Sequence, residues 1–106
     1  NKKFVTDFRK LNNNMRPNAV AVFAYDGMHV IYEALRKSGG KTDGDTLLSA
    51  MKGMIFESPR GQIYIDANTR DIVQSIYIRK VERVNGELYS VEFQEHKDVR
   101  DPPRAR

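Results

Sequence analysis

The fold is decided by residues 17–40, which read PNAVAVFAYDGMHVIYEALRKSGG. Pro17 favours the first turn of a helix, and the Asn18 side chain can accept hydrogen bonds from the free N–H groups of that turn. Gly39 and Gly40 favour the left-handed backbone that ends a helix. Apolar or amphipathic side chains occupy two helix faces, with Val20, Phe23, Ala24, Met28, Ile31 and Leu35 on one and Val22, Tyr25, His29 and Tyr32 on the other. Such a helix is normally buried on several sides, which predicts that the chain is a piece of a larger protein.

Shorter elements are predicted on both sides of this helix. Near the start of the chain, Phe4, Phe8 and Leu11 recur at helical spacing among charged residues, as in an amphipathic helix. The predicted elements are helices over residues 2–12, 18–38 and 45–53, an apolar segment at 54–57, a turn at 58–61 and a strand at 62–66. The predicted fold class is therefore α/β, with helices first and strands afterwards.

The dipeptide Asn85-Gly86 predicts a β-hairpin, because both residues tolerate the positive φ angles of a two-residue turn between strands. The flanking residues 72–84 and 87–95 are rich in β-branched and aromatic side chains. A two-residue turn sets the predicted register, which pairs Arg83 with Leu88, Arg79 with Glu92, and Ile78 with Phe93.

Composition excludes several classes of site. Eighteen Lys and Arg against fourteen Asp and Glu give a net charge of +4. The segment 97–106 has four cations and two anions and so contributes +2 of it, which predicts a solvated basic tail and no nucleic-acid partner. The chain has no cysteine, which excludes disulfides and thiolate metal sites. No segment has the ~18 uninterrupted apolar residues of a membrane span.

Sequence motifs predict no enzyme, cofactor or metal site. Residues 40–42 resemble the end of a phosphate-binding loop, but Leu35 stands where that loop needs a glycine. Asp43 and Asp45 resemble the start of a calcium loop without its later glutamate, and helix capping explains Asp43 better. His29 has no second histidine at ligand spacing.

Several short segments occur in an order that runs through nearly the whole chain. They are Arg16-Pro17-Asn18, Tyr25-Asp26-Gly27, residues 34–39, residues 50–53, Phe56, Ser58-Pro59-Arg60-Gly61, Ile65-Asp66, residues 81–86 and residues 99–102. Together they resemble the C-terminal part of the periplasmic solute-binding proteins of ABC transporters, of the leucine/isoleucine/valine-binding type. Two positions depart from that pattern, because Gly27 replaces a usual alanine and Pro103 replaces a frequent aromatic residue.

The resemblance implies a C-terminal fragment of a two-lobed type I periplasmic-binding-protein fold. Residues 1–73 are then a segment that returns to the first lobe. Residues 74–96 are the hinge crossover and a β-hairpin of the second lobe, and residues 97–106 are the basic tail.

The resemblance also implies a binding protein without catalysis. It would reside in the periplasm, capture a branched-chain amino acid or a related apolar or aromatic acid by hinge closure, and deliver this small-molecule solute to a membrane permease. The expected ligand-binding residues are Ala19, Val20 and Phe23 at the start of the long helix, with Tyr25 as a fourth candidate that can also pack inside the lobe. Core packing is the alternative role for all four residues.

Two other functions stay open on the sequence. A small basic nucleic-acid or protein interaction module is the main alternative, and a small enzyme is the third. If the chain is a fragment, it lacks most of the ligand cleft, so we expect it not to bind solute tightly alone. We also expect its uncovered apolar faces to favour self-association.

Overall fold

The computed structural model describes residues 1–102. Three helices precede the strands, as predicted, and the strands number four, one more than predicted. The elements are α1 (Lys2–Leu11), α2 (Ala19–Lys37), α3 (Gly44–Met51), β1 (Ile55–Ser58), β2 (Gly61–Ile65), β3 (Ile72–Val84) and β4 (Glu87–Val99). The strands form one antiparallel sheet in sequence order. Strand β1 lies where the sequence predicted only an apolar segment and the start of a turn. It forms because residues 55–58 pair with β2 and bury alternate side chains, Phe56 and Ser58.

Helix α2 begins and ends at the residues that the sequence indicates. The Asn18 side chain accepts a hydrogen bond from the backbone N–H of Ala21 at 3.0 Å. At the other end, the N–H of Gly40 donates to the carbonyl of Leu35 at 3.0 Å, and the backbone φ angles of Gly39 and Gly40 are +67° and +88°. These contacts satisfy free backbone groups at both ends of the helix.

The apolar faces of α2 are only partly covered by the described residues. Asp26 and Ala34 are its buried residues. Val20 and Tyr32 remain 70% and 63% exposed. Residues 1–102 therefore do not bury both apolar faces of α2, as the sequence led us to expect of the whole protein. The buried core instead lies at the C-terminal half of α2, where Ala34 joins Met54, Phe56 and Ile63.

The β3–β4 hairpin turns through Asn85 and Gly86, whose φ angles are +49° and +81°. The predicted pairs Arg83–Leu88 and Arg79–Glu92 are present. The predicted pair Ile78–Phe93 is wrong, because Ile78 lies opposite Gln94. Phe93 is an extra residue in β4, and a bulge of this kind increases the local twist of the two strands.

A second bulge separates the hairpin from the rest of the sheet. Strand β3 pairs with β2 only through Ile72 and Val73, and from Gln74 onward it pairs with β4 alone. The register shifts between Gln74 and Ile76, and Asp98 on the opposite strand has a φ angle of +52°. The hairpin therefore projects as a two-stranded ribbon beyond this point.

Strand β4 continues to Val99, so residues 97–99 of the predicted basic tail belong to the sheet. Arg100 then donates to the Asp66 carboxylate and, at 2.6 Å, to the Tyr64 hydroxyl. The pKa of Asp66 is lowered to about 2 by the backbone N–H of Thr69, the Arg100 guanidinium and the backbone N–H of Asn68. Residues 103–106, with the remaining tail cations, lie outside the described residues. The assignment of residues 1–73 and 74–96 to different lobes stays a prediction.

Candidate functional site

An open cavity of about 1020 Å³ lies between the helices and the hairpin. Its size matches the upper end of small-molecule sites. The start of α2 forms one wall, the turn between β1 and β2 forms the floor, and the facing strands β3 and β4 form the other wall. Its lining includes the side chains of Arg9, Arg16, Ala19, Phe23, Arg60, Gln74, Tyr77, Arg79, Tyr89 and Glu92.

A buried ion pair stands behind the cavity wall. The Asp26 side chain is almost fully buried, and its Oδ2 atom accepts hydrogen bonds from Nε and Nη2 of Arg60 at 3.2 and 3.0 Å. The Ser58 hydroxyl donates to the same oxygen at 2.8 Å. A carboxylate removed from water needs such charged and polar partners. The pair thus joins α2 to the β1–β2 turn.

The Arg60 guanidinium extends from this pair to the cavity. Its carbon atom lies 4.9 Å from the ring centroid of Phe23, within the range of a cation–π contact. Its Nη1 donates to the side-chain carbonyl of Gln74 on β3. The Arg60 side chain is therefore fixed by α2 on one side and β3 on the other, with Phe23 lying against its face.

The backbone of the β1–β2 turn is held close to β3. The Tyr77 hydroxyl donates to the carbonyl of Arg60 at 2.8 Å. The next residue, Gly61, has a φ angle of +107°, and a Cβ atom there would lie 3.2 Å from the Tyr77 oxygen. Glycine is therefore required here for both its backbone conformation and its lack of a side chain.

The charged side chains that line the cavity are mainly cationic. Arg9, Arg16, Arg60 and Arg79 lie there with one anion, Glu92. Three of these arginines pair with carboxylates of Glu87, Asp26 and Glu92, respectively. Among residues 1–102, Arg9 forms no ion pair and its buried Nε has no hydrogen-bond partner. This cavity therefore suits a ligand that carries negative charge.

The structure brings together two of the four predicted ligand-binding residues. Ala19 and Phe23 line the large cavity. Val20 lines neither described cavity, and its side chain is exposed. Tyr25 lies at a second cavity of about 410 Å³, where its ring packs on Phe4 at a centroid distance of 4.9 Å. Ligand contact by any of the four stays a prediction.

Sequence reasoning missed the polar part of the site. The sequence indicates Arg60 only as part of a turn and of the family pattern, whereas in the structure it contacts Asp26, 34 positions earlier, and Gln74, 14 positions later. The signal that the sequence offers is Asp26, the one acid among the apolar residues of the first half of α2, since a buried carboxylate implies a cationic partner.

Asp43 and His29, which the sequence does not support as metal ligands, make other contacts in the structure. Asp43 caps α3, because its carboxylate accepts from the backbone N–H of Thr46 at 3.0 Å and from the Thr46 hydroxyl at 2.6 Å. His29 packs between the rings of Tyr25 and Phe56. No group of three potential metal ligands occurs among the described residues. No described helix is long and apolar enough to cross a membrane.

Comparison with known proteins gives a matching family and several similar proteins. A family model described as "Periplasmic binding protein" matches residues 1–87. The Leu/Ile/Val-binding protein homolog 6 of Brucella abortus (strain 2308) is 42% identical over 104 residues, which are 96% of this chain. The chain spans about 27% of the length of the curated relatives that it matches.

Two solved structures of similar proteins contain aromatic acids. A solute binding protein of an ABC transporter from Rhodopseudomonas palustris BisB5, in complex with 3,4-dihydroxy benzoic acid, is 58% identical with a TM-score of 0.92. The similarity covers 95% of this chain and 28% of that protein. A second, from Rhodopseudomonas palustris HaA2 in complex with p-hydroxybenzoic acid, is 43% identical over 76% of this chain and 22% of its own, with a TM-score of 0.71.

Proposed function

We propose that this chain, which belongs to the periplasmic binding protein family, forms the C-terminal part of a two-lobed receptor that captures a small solute in the periplasm and delivers it to an ABC transporter permease. Its relatives include ABC solute-binding proteins, and the part of their structures that aligns with this chain has the fold described above. Like them, the receptor would bind its solute without catalysis.

The solute class that we propose is an aromatic carboxylic acid. The observation that carries this choice is the pairing of Phe23 with Arg60 on the cavity wall. The Phe23 ring can contact a benzoate ring, and the N–H groups of Arg60 that Asp26 and Gln74 leave free can donate to the benzoate carboxylate. The two relatives bound to hydroxybenzoic acids support the same class. A branched-chain amino acid is the second candidate, because one relative is a Leu/Ile/Val-binding protein homolog.

Hinge closure would bring the two walls of the cavity together. The second bulge, at Gln74–Ile76 and Asp98, supplies a bending point, because the hairpin beyond it pairs with no other strand formed by residues 1–102. We place the crossover between lobes there, with residues 1–73 on one side. Solute contacts made by both walls would then stabilise the closed arrangement over the open one.

Calorimetry on the full-length receptor tests the solute class. We expect binding of 4-hydroxybenzoate and 3,4-dihydroxybenzoate to be at least tenfold tighter than binding of leucine. Replacing Phe23 with alanine should raise the dissociation constant for the benzoates on the order of 10-fold, because the aromatic face is lost.

The matched control is Tyr32→Ala, which removes another exposed aromatic side chain of α2 that lines neither described cavity. This variant should bind benzoates as the unaltered receptor does. Tight leucine binding without benzoate binding would reject the aromatic class. If the two substitutions changed the dissociation constant for benzoates equally, Phe23 would not be a ligand-binding residue.

A further inference from the structure

Arg16 forms the polar connection between the helical part of the chain and the far end of the hairpin. It lies between α1 and α2, and its Nη1 donates to the carbonyl of Leu88 at 2.8 Å. Its Nη2 pairs with the Glu87 carboxylate, and its guanidinium carbon lies 4.2 Å from the Tyr89 ring centroid. Three different contacts therefore converge on one side chain.

No other residue of the segment 1–54 forms a hydrogen bond or ion pair with the described part of the hairpin, residues 72–99. The contact lies near the hairpin turn, whereas the bulge at Gln74–Ile76 lies at the hairpin's base. Seven or eight residues of extended strand separate the two points, which corresponds to roughly 25 Å. A contact this far from a hinge opposes rotation about it effectively.

We propose that Arg16, Glu87 and Tyr89 form a latch that stabilises the closed receptor and thereby sets its affinity for solute. This proposal depends on the proposed function, because it places α2 and the hairpin on different lobes. Arg16 acts as a positioning residue, since its guanidinium holds Glu87 and the Leu88 carbonyl on the opposite wall of the cavity. Opening would break all three contacts together.

The direction in which two substitutions change benzoate affinity distinguishes this role from direct contact with the solute. Arg16 lines the cavity and Glu87 does not. If the three residues form a latch, Arg16→Gln and Glu87→Gln both weaken benzoate binding. If Arg16 instead binds the solute carboxylate directly, Glu87→Gln removes an anion that competes for Arg16, and benzoate binding becomes stronger.

The expected loss for each latch variant is on the order of 5-fold in the dissociation constant, the scale of a partly exposed ion pair together with a cation–π contact. The loss should appear in the dissociation rate, because the latch forms after the lobes close. The control is Arg36→Gln, which removes the exposed partner of Glu33 on α2 and should leave affinity unchanged.

Closure itself is measured by single-molecule energy transfer between dyes on cysteines introduced at Lys41 and Val81, one on each proposed lobe. Arg16→Gln should reduce the closed population with and without solute, while the melting temperature of the ligand-free receptor stays that of the Arg36→Gln control. Unchanged closed populations, or opposite signs for the two substitutions, would overturn the latch. A receptor that binds no benzoate but still loses closed population on Arg16→Gln would reject the solute class and keep the latch.

Discussion

Replacing Arg60 with methionine tests whether the buried Asp26 carboxylate depends on its guanidinium partner. Methionine keeps much of the apolar volume of arginine and removes the charge. After the change, Oδ2 of Asp26 would keep only the Ser58 hydroxyl, and Oδ1 already has no hydrogen-bond partner among residues 1–102. Of the donors within residues 1–102, the carboxylate would then keep a single neutral one.

The structure sets the magnitude of this effect. Removing one partner of a fully buried ion pair destabilises a protein by roughly 3–5 kcal/mol. The Asp26 side chain is only 5% exposed, but that of Arg60 is 20% exposed, so water can approach the vacated position. We therefore expect a loss of about 2–3 kcal/mol in the free energy of unfolding. Replacing both residues, as Asp26→Leu with Arg60→Met, should restore much of that loss because no charge remains buried.

Urea unfolding of the full-length receptor, followed by circular dichroism at two wavelengths, measures these changes. The four proteins of the cycle are the unaltered receptor, Arg60→Met, Asp26→Leu and the double variant. Their coupling energy isolates the interaction of the two side chains from the effects of lost volume. The control is Arg36→Met, whose pair with Glu33 lies in solvent and should contribute little to stability, because water screens the two charges.

Additive effects in this cycle would contradict the reasoning, since they would mean that Asp26 does not depend on Arg60. A loss below about 0.5 kcal/mol for Arg60→Met would have the same meaning.

Two further predictions concern the same sheet. Gly61→Ala should lower stability by about 1–3 kcal/mol in thermal unfolding, because alanine is strained at a φ angle of +107°, whereas Gly27→Ala in α2 should not. Asp66 has a pKa of about 2 when folded, below its ordinary value of 3.8. Its stabilising contribution is therefore complete above pH 4 and is lost as the pH falls towards 2. Asp66→Asn should flatten that part of the stability profile measured by urea unfolding, and an unchanged profile would exclude Asp66 as its source.

Local features of the fold could be predicted because the residues that determine them are neighbours in sequence. Asn18 and the Ala21 amide are three residues apart, and Asn85-Gly86 contains the whole turn. The register near the turn followed from the same dipeptide. The register beyond Arg79 did not, because one inserted residue, Phe93, shifts every later pair. The alternation of apolar and polar residues does not indicate at which position a strand contains a bulge.

The candidate site could be predicted only on its apolar side. Phe23 is a predicted ligand-binding residue because it lies near the start of a helix that the family resemblance assigns to the cleft. Its partner Arg60 is 37 positions away, and a lone arginine in a turn is ordinary in any sequence. Contacts of this separation depend on how α2 packs over the sheet, which periodicity does not specify.

The unpartnered atoms of Asp26 and Arg9 connect the local structure to the proposed receptor. A buried polar atom without a hydrogen bond costs about 1–3 kcal/mol, so folded proteins rarely leave one unsatisfied. Within residues 1–102 neither Oδ1 of Asp26 nor Nε of Arg9 has a partner, and α2 keeps large exposed apolar side chains. We infer that other segments of the longer receptor supply both the missing polar partners and the apolar cover. Asp26 would then accept from Arg60 through one oxygen and from a donor of such a segment through the other, which explains why a carboxylate suits this position in the largely apolar first half of α2.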